Sequence, residues 1–362
     1  MIIIMSRGNP NDADKQTESH VGLPVGAVGR SARKESSIRT SVPTTLSFDP
    51  RSVIAFALLP SFIIFVAFAL LPGCQKRPTG EVNVIAVIGN NTGGRGPGEF
   101  IYPRAIDLTA DGRIVAVDKT GRVQVLTIRG QCELTIQMPL TEQGRPTGVT
   151  VGPDGNIYVA DTHYNRVMVF DRAGKLVRQW GKFGTGPGEF IYPTDIAFAP
   201  DGRMFVSEYG GNDRVSIFDT AGKFLGSFGS FGPDRDQFQR PAAICVDAKR
   251  SRLYVADACN HRLAVYNLDG KLETYIGSIG AGPGQLRYPY SVALMPDGTL
   301  LVCEFGNNRL QILSPDGASL GTFGTAGRDK GQLAFPWAAA VDASRRVYIV
   351  DSGNNRLQVW QL

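Results

Sequence analysis

Histidine is scarce in this chain, with three copies in 362 residues. His20 lies in a polar N-terminal tail, which leaves His163 and His261 for everything else. Catalytic zinc is usually held by three protein ligands, so two histidines fall short of such a centre. Cysteine is sparse as well, with five copies and no CxxC pair, which removes a cysteine-held zinc. Cys245 and Cys303 fall in apolar strand patterns and read as buried thiols, while Cys132 and Cys259 fall in turns. A strong charge of either sign is also missing. The formal net charge is +5, and from Gln75 onward 31 Lys+Arg face 28 Asp+Glu. So small an excess over a large surface argues against a nucleic-acid partner.

What the chain has in quantity is glycine, 43 residues spaced at regular intervals. That distribution predicts many tight turns between short strands.

The N-terminal part differs from the rest. Residues 1–52 are polar and read as disordered. Val53 to Pro72 carries no charge, and twenty helical residues span roughly 30 Å, one hydrocarbon core. Arg51, Arg39, Lys34 and Arg33 lie upstream, which favours a cytoplasmic N-terminus and export of the remainder. The run ends in Leu70-Leu71-Pro72-Gly73-Cys74, which resembles a bacterial lipoprotein lipobox, with Cys74 as the residue that would be lipidated. Residues 53–74 therefore read as a transmembrane anchor or a lipoprotein signal segment and 75–81 as a linker. Either way the fold is expected to be membrane-anchored and extracytoplasmic in a bacterium.

The octapeptide GPGEFIYP occurs at 96–103 and at 186–193, with relatives ending at later prolines. Pro103, Pro146, Pro193, Pro241, Pro289 and Pro336 are separated by 43, 47, 48, 48 and 47 residues. Arginines that open an apolar run, at 122, 166, 214, 262, 309 and 356, are separated by 44, 48, 48, 47 and 47. Two markers with one period define six repeats. In the second repeat, Gly148–Val151, Ile157–Ala160, Val167–Phe170 and Leu176–Trp180 read as strands a to d, joined by Asp-Gly and Ala-Gly turns. Four short strands per repeat predict an all-β six-bladed β-propeller over 82–362. The sixth repeat lacks a strand d, and Val84–Ile88 has no partner of its own. The N-terminal strand is therefore expected to complete the last blade and close the ring.

The segments LYVADACNHRLAVY at 253–266 and VYIVDSGNNRLQVW at 347–360 resemble the NHL repeat, whose family consists of six-bladed propellers. An amidating lyase of NHL type would imply a three-histidine zinc site, which His163 and His261 do not complete. A calcium-dependent hydrolase of the wider six-bladed group would need carboxylates at the channel mouth, where Asp195 and Glu208 are the candidates.

Features present in every blade are expected to serve the fold. These are an acid column (Asp118, Asp161, Glu208, Asp257, Glu304, Asp351) and an arginine column (Arg122, Arg166, Arg214, Arg262, Arg309, Arg356), each acid pairing with its own blade's arginine or capping the b–c loop. Function is expected where the blades differ, on the face of the d–a and b–c loops. Strand a begins there with Arg104, Thr147, Thr194, Ala242, Tyr290 and Trp337, followed inward by Asp195. Arg145, His163, Tyr164, Tyr209, His261 and Phe305 flank them. Aromatic and arginine side chains anchor protein interfaces. The expected function is a non-catalytic binding or scaffold module for a protein, peptide or envelope-polymer ligand. It is expected as a monomeric propeller with no cofactor or metal. The alternative is a metal-dependent lyase or hydrolase at the channel mouth.

Overall fold

A computed structural model describes residues 82–362. The expectations for 1–52, 53–74, 75–81 and Cys74 lie outside these residues. Among the described residues no helix is long and apolar enough to cross a membrane.

The repeats form six four-stranded antiparallel sheets. Each sheet begins with an inner strand, a, facing a central channel: Pro103–Leu108, Gly148–Val151, Pro193–Phe198, Pro241–Asp247, Pro289–Leu294 and Pro336–Val341. Strands b and c of each blade are almost wholly buried, whereas the residues of strand d are mostly half-buried or exposed. The b and c strands are rich in Val, Ile and Leu because both of their faces meet neighbouring blades. The ring closes as the repeat pattern predicts. Asn83–Gly89 pairs antiparallel with Arg356–Gln361 and supplies the outer strand of blade 6. Closure leaves no blade with an open inner edge toward its neighbour.

The GPGEF loop is built for its position. The phenylalanine, or a leucine replacing it, is fully buried between blades at Phe100, Phe190, Phe238, Leu286 and Leu333. The preceding Glu or Gln folds back on the loop, as where Gly96 N donates to Glu99 Oε2 (2.9 Å) and Gly282 N to Gln285 Oε1 (3.0 Å). Cys303 is buried as expected, but Cys132 opens strand Cys132–Gln137 instead of sitting in a turn. Cys245 is only half-buried, because its position on strand a turns it to the channel.

Candidate functional site

The acid and arginine columns meet in all six blades. The pairs are Arg122–Asp118 (2.9 Å), Arg166–Asp161 (2.8 Å), Arg214–Glu208 (2.6 Å), Arg262–Asp257 (2.8 Å), Arg309–Glu304 (2.6 Å) and Arg356–Asp351 (2.7 Å). Each acid is buried, and all but Asp161 also accept a backbone N–H from the glycine loop, as with Ile191 N to Glu208 (2.7 Å) and Ala334 N to Asp351 (2.7 Å). Every arginine but Arg166 donates to carbonyls of the same loop, as Arg214 does to Glu189 O (3.0 Å) and Arg356 to Gln332 O (3.1 Å). The couple is a clamp on the GPGEF loop. Blade 2 tests this by exception, because its incoming loop, 138–146, has a different sequence. There Asp161 Oδ1 and Arg166 Nη2 are buried without a hydrogen-bond partner. Desolvation raises the carboxyls of Asp161, Glu208, Asp257 and Glu304 above the ordinary range, against the lowering pull of their arginines.

Next to the clamp lies a second device. Tyr102, Tyr192, Arg240, Tyr288 and Phe335, each just before a marker proline, adopt left-handed backbone with φ between 48° and 61°. Such residues store strain unless the surroundings hold them. Here each N–H donates to a b–c loop side chain of the preceding blade: Asn355 Oδ1 (2.9 Å), Asn165 Oδ1 (3.0 Å), Asp213 Oδ1 (2.6 Å), His261 Nδ1 (3.0 Å) and Asn308 Oδ1 (2.7 Å), in that order. His261 is thus one of five ties across blade seams. Burial, then the charge of Arg287, holds its pKa below the usual histidine value, so it sits there as the neutral acceptor. His163 Nδ1 lies 3.1 Å from the N–H and 2.9 Å from the carbonyl of Arg145. Both histidines therefore spend Nδ1 on backbone, and they stand on blades 2 and 4.

Three of the left-handed residues, Tyr102, Tyr192 and Arg240, join rings of the inner strands and b–c loops in a continuous arc at the channel mouth. From His163 it runs to Tyr192 (5.6 Å between ring centres) and Tyr209 (5.4 Å). The guanidinium of Arg240 bridges Tyr209 (4.7 Å) to Tyr290 (5.2 Å) and Trp337 (6.0 Å). Tyr290 stacks on Phe305 (4.6 Å) and meets Trp337 edge-on (4.8 Å). Trp337 then carries Arg104 (5.0 Å) and Tyr102 (5.8 Å), whose ring faces Lys119 (5.6 Å). The arc unites the candidates Arg104, His163, Tyr209, Tyr290, Phe305 and Trp337. Tyr164 stacks instead beneath Arg166 and its hydroxyl accepts from Gln143 N (3.0 Å), while His261 pairs with Tyr288 (4.5 Å) away from the arc. Arg145 reaches Lys119 O (3.1 Å). The sequence reading placed these side chains on an aromatic, partly basic ligand face. Arg104 and Tyr290, 6% and 7% exposed, are instead packed across the channel as its lid, because both lie on the inner strand and point inward.

Beneath that lid lies a cavity of about 520 Å³ lined by all six inner strands. It exists because two layers of the ring carry small side chains. One is Ala105, Gly148, Asp195, Ala243, Ser291 and Ala338, and the other Asp107, Thr150, Ala197, Cys245, Ala293 and Ala340. Asp195 was expected to be unpaired at the mouth. It lies one layer deeper, where its carboxylate accepts from Ile244 N (2.9 Å) on the neighbouring blade and from Ile196 N. Asp107, which sequence reasoning missed, accepts in the same way from Val151 N (2.7 Å) and Leu108 N (2.8 Å). Each carboxylate satisfies an inner-strand N–H that has no further strand to pair with. Enclosure raises Asp195 to about 7 and Asp107 to about 6, and Asp195 also feels the charge of Asp107. Aligning the six inner strands would have revealed Asp107, since each small layer holds one carboxylate.

Comparison with known proteins fits this geometry. Residues 149–201 match a family described as a 6-bladed beta-propeller, and residues 238–266 and 333–360 match the NHL repeat. The chain carries NHL repeats. Protein brain tumor of Drosophila melanogaster is 34% identical to this NHL chain over 64 residues, 17% of the chain and 6% of that protein. Peptidylglycine alpha-amidating monooxygenase of Rattus norvegicus is 29% identical over 151 residues, 35% of the chain and 15% of that protein. The match thus spans a small part of either relative's length. Among solved structures, a protein of unknown function from Bacteroides thetaiotaomicron superposes with a TM-score of 0.61 at 16% identity, covering 78% of this chain and 76% of the other. Virginiamycin B lyase from Staphylococcus aureus superposes at 0.53 and 15% identity, covering 78% and 89%. At such identities the likeness is one of fold.

Proposed function

We propose that this NHL propeller is a non-catalytic binding module that recognises a protein or peptide segment on its b–c loop face. The observation that carries the reading is the mouth itself, where Arg240 is wedged among Tyr209, Tyr290 and Trp337 at 4.7, 5.2 and 6.0 Å. Rigid aromatics around a guanidinium offer large contact area at little entropic cost, the composition of interface hot spots. The surrounding left-handed residues fix these rings before any partner arrives, and a preorganised surface loses less on binding. The test is peptide selection against the full chain and against Trp337→Ala/Tyr209→Ala. Peptides should enrich on the former and bind the variant at least about tenfold more weakly, with little change in melting temperature. Equal binding to the variant, or no enrichment, rejects the mouth; a large stability loss assigns these rings to the core.

The fold is read as tethered outside the cytoplasm through 53–74, a reading supported by the uncharged run and the basic residues before it. Lipid labelling that persists after Cys74→Ala would reject the lipoprotein form. The enzyme reading rests on the named activities of the amidating monooxygenase and virginiamycin B lyase. It draws little from this site, whose two histidines bind backbone on non-adjacent blades.

A further inference from the structure

The cavity below the lid is not needed for recognition at the mouth. Its floor and its roof differ. Four of the six roof residues, Arg104, Thr147, Thr194 and Tyr290, are buried and two, Ala242 and Trp337, are half-exposed, whereas Val151, Phe198, Val246, Leu294 and Val341, at the a–b turn end of the same strands, are all half-exposed. The space therefore communicates with the face opposite the mouth, through a collar of one apolar side chain from each of five blades. Ile106, Val149, Ile196, Ile244 and Val292 continue that apolar wall inward. Against this wall stand two carboxylates, Asp195 and Asp107, on blades 3 and 1. Each is bonded only to backbone N–H groups, and neither takes part in an ion pair among the described residues.

We propose that this cavity is a ligand site of its own, taking a small organic cation: an ammonium or guanidinium head set toward Asp195 and Asp107, on an apolar body held by the collar. A volume of about 520 Å³ suits a small molecule, since ligand pockets span roughly 300–1,000 Å³. Two enclosed carboxylates in no ion pair among the described residues are costly in low dielectric, and a bound cation offsets that cost. A metal ion fits the donor set less well. Calcium takes about six to eight oxygens, whereas among the described residues no three His, Cys, Asp or Glu side chains converge, and the two carboxylates lie in different layers. The site follows from a departure from sixfold regularity, because four blades place Ala, Gly, Ser, Thr or Cys at both small layers.

Full-length protein in detergent, at a pH of about 8, above both carboxyl values, is titrated calorimetrically with n-hexylamine. Hexanol and hexanoate serve as neutral and anionic isosteres. Hexylamine should bind, and the isosteres about tenfold or more weaker. Asp195→Asn and Asp107→Asn keep an oxygen for one of the two backbone N–H groups that each carboxylate accepts, and should each weaken the amine about tenfold or more. Ala293→Leu, which fills the cavity from blade 5, should abolish binding independently of charge. Melting temperatures show whether each variant is folded. Binding should also weaken as Asp195 protonates through pH about 7 and Asp107 through pH about 6. Of the other ionisable groups on the lining, Arg104 keeps its charge over that range, and burial pushes the Cys245 thiol up to about 12. Tyr209→Ala alone, at a mouth residue that does not line the cavity, should leave amine binding intact, which separates this site from the mouth. Hexanol binding as tightly as hexylamine, heat from calcium chloride alone that depends on Asp195, or no heat with any probe would each overturn the proposal.

Discussion

Replacing Asp351 with Asn removes one charge from the clamp of the blade that closes the ring. The carboxylate is fully buried and accepts from Arg356 Nε (2.7 Å), Asn354 Nδ2 (2.9 Å), Gln358 Nε2 (3.0 Å) and Ala334 N (2.7 Å). An amide retains one acceptor but presents N–H groups to a guanidinium that is itself only 4% exposed. Removing one partner of a buried ion pair costs about 3–5 kcal/mol, because the other charge stays desolvated. For a domain this size each kcal/mol moves the melting temperature by about 2–4 °C, so Asp351→Asn should lower it by roughly 6–20 °C. The internal standard is Arg345→Ala. That removes a surface ion pair to Asp297 whose two side chains are 34% and 40% exposed, and exposed pairs contribute about 0–1 kcal/mol.

The assay is urea unfolding of the full chain followed by tryptophan fluorescence, with Trp360 fully buried in the same blade. A double variant, Asp351→Asn with Arg356→Met, should recover part of the loss, since the orphaned charge has gone with its partner. Asp351→Asn costing no more than Arg345→Ala, or an additive double variant, would refute the clamp.

Two further outcomes follow from the same geometry. His261→Asn should be nearly neutral, because Asn165, Asn308 and Asn355 make the same seam tie in other blades; His261→Ala, which leaves Tyr288 N unbonded, should cost about 1–3 kcal/mol in the same unfolding assay. Asp195 is raised to about 7 when folded, so the folded state holds more protons than the unfolded between pH about 4 and 7. Stability should fall as pH rises through that window, and Asp195→Asn should flatten the slope; an unchanged slope assigns the pH dependence elsewhere.

The ring was legible because it repeats. Two markers one period apart give blade number, and an outer strand missing from the last repeat, together with a lone strand at Val84–Ile88, gives closure without any coordinate. The clamp was legible for the same reason, since an acid and an arginine recurring in every blade are most simply partners. What repetition hides is the purpose of residues that every blade shares. His261 stood out as a histidine, yet it fills a position where other blades carry asparagine, and both side chains offer an acceptor to the next blade's N–H. Read down the column instead of along the chain, it is an Asn substitute.

The cavity was harder to read, because its signal is the smallness of neighbours and not the chemistry of any one residue. Asp107 sits in an unremarkable strand, Pro103–Leu108, and is notable only beside Thr150, Ala197, Cys245, Ala293 and Ala340 from five other blades. The sequence spaces those residues about 47 apart, and only the ring makes them neighbours. A similar argument separates the two faces. At the mouth, large rings fill the channel and the blades differ by which aromatic they supply. Below it, small residues empty the channel and the blades differ by which two supply a carboxylate. One six-fold frame therefore carries two asymmetries of opposite chemistry, cationic and aromatic above, anionic and aliphatic below. A single ligand complementary to both ends would have to thread a lid in which Arg104 and Tyr290 are 6% and 7% exposed, so the two ends are best probed with separate ligands.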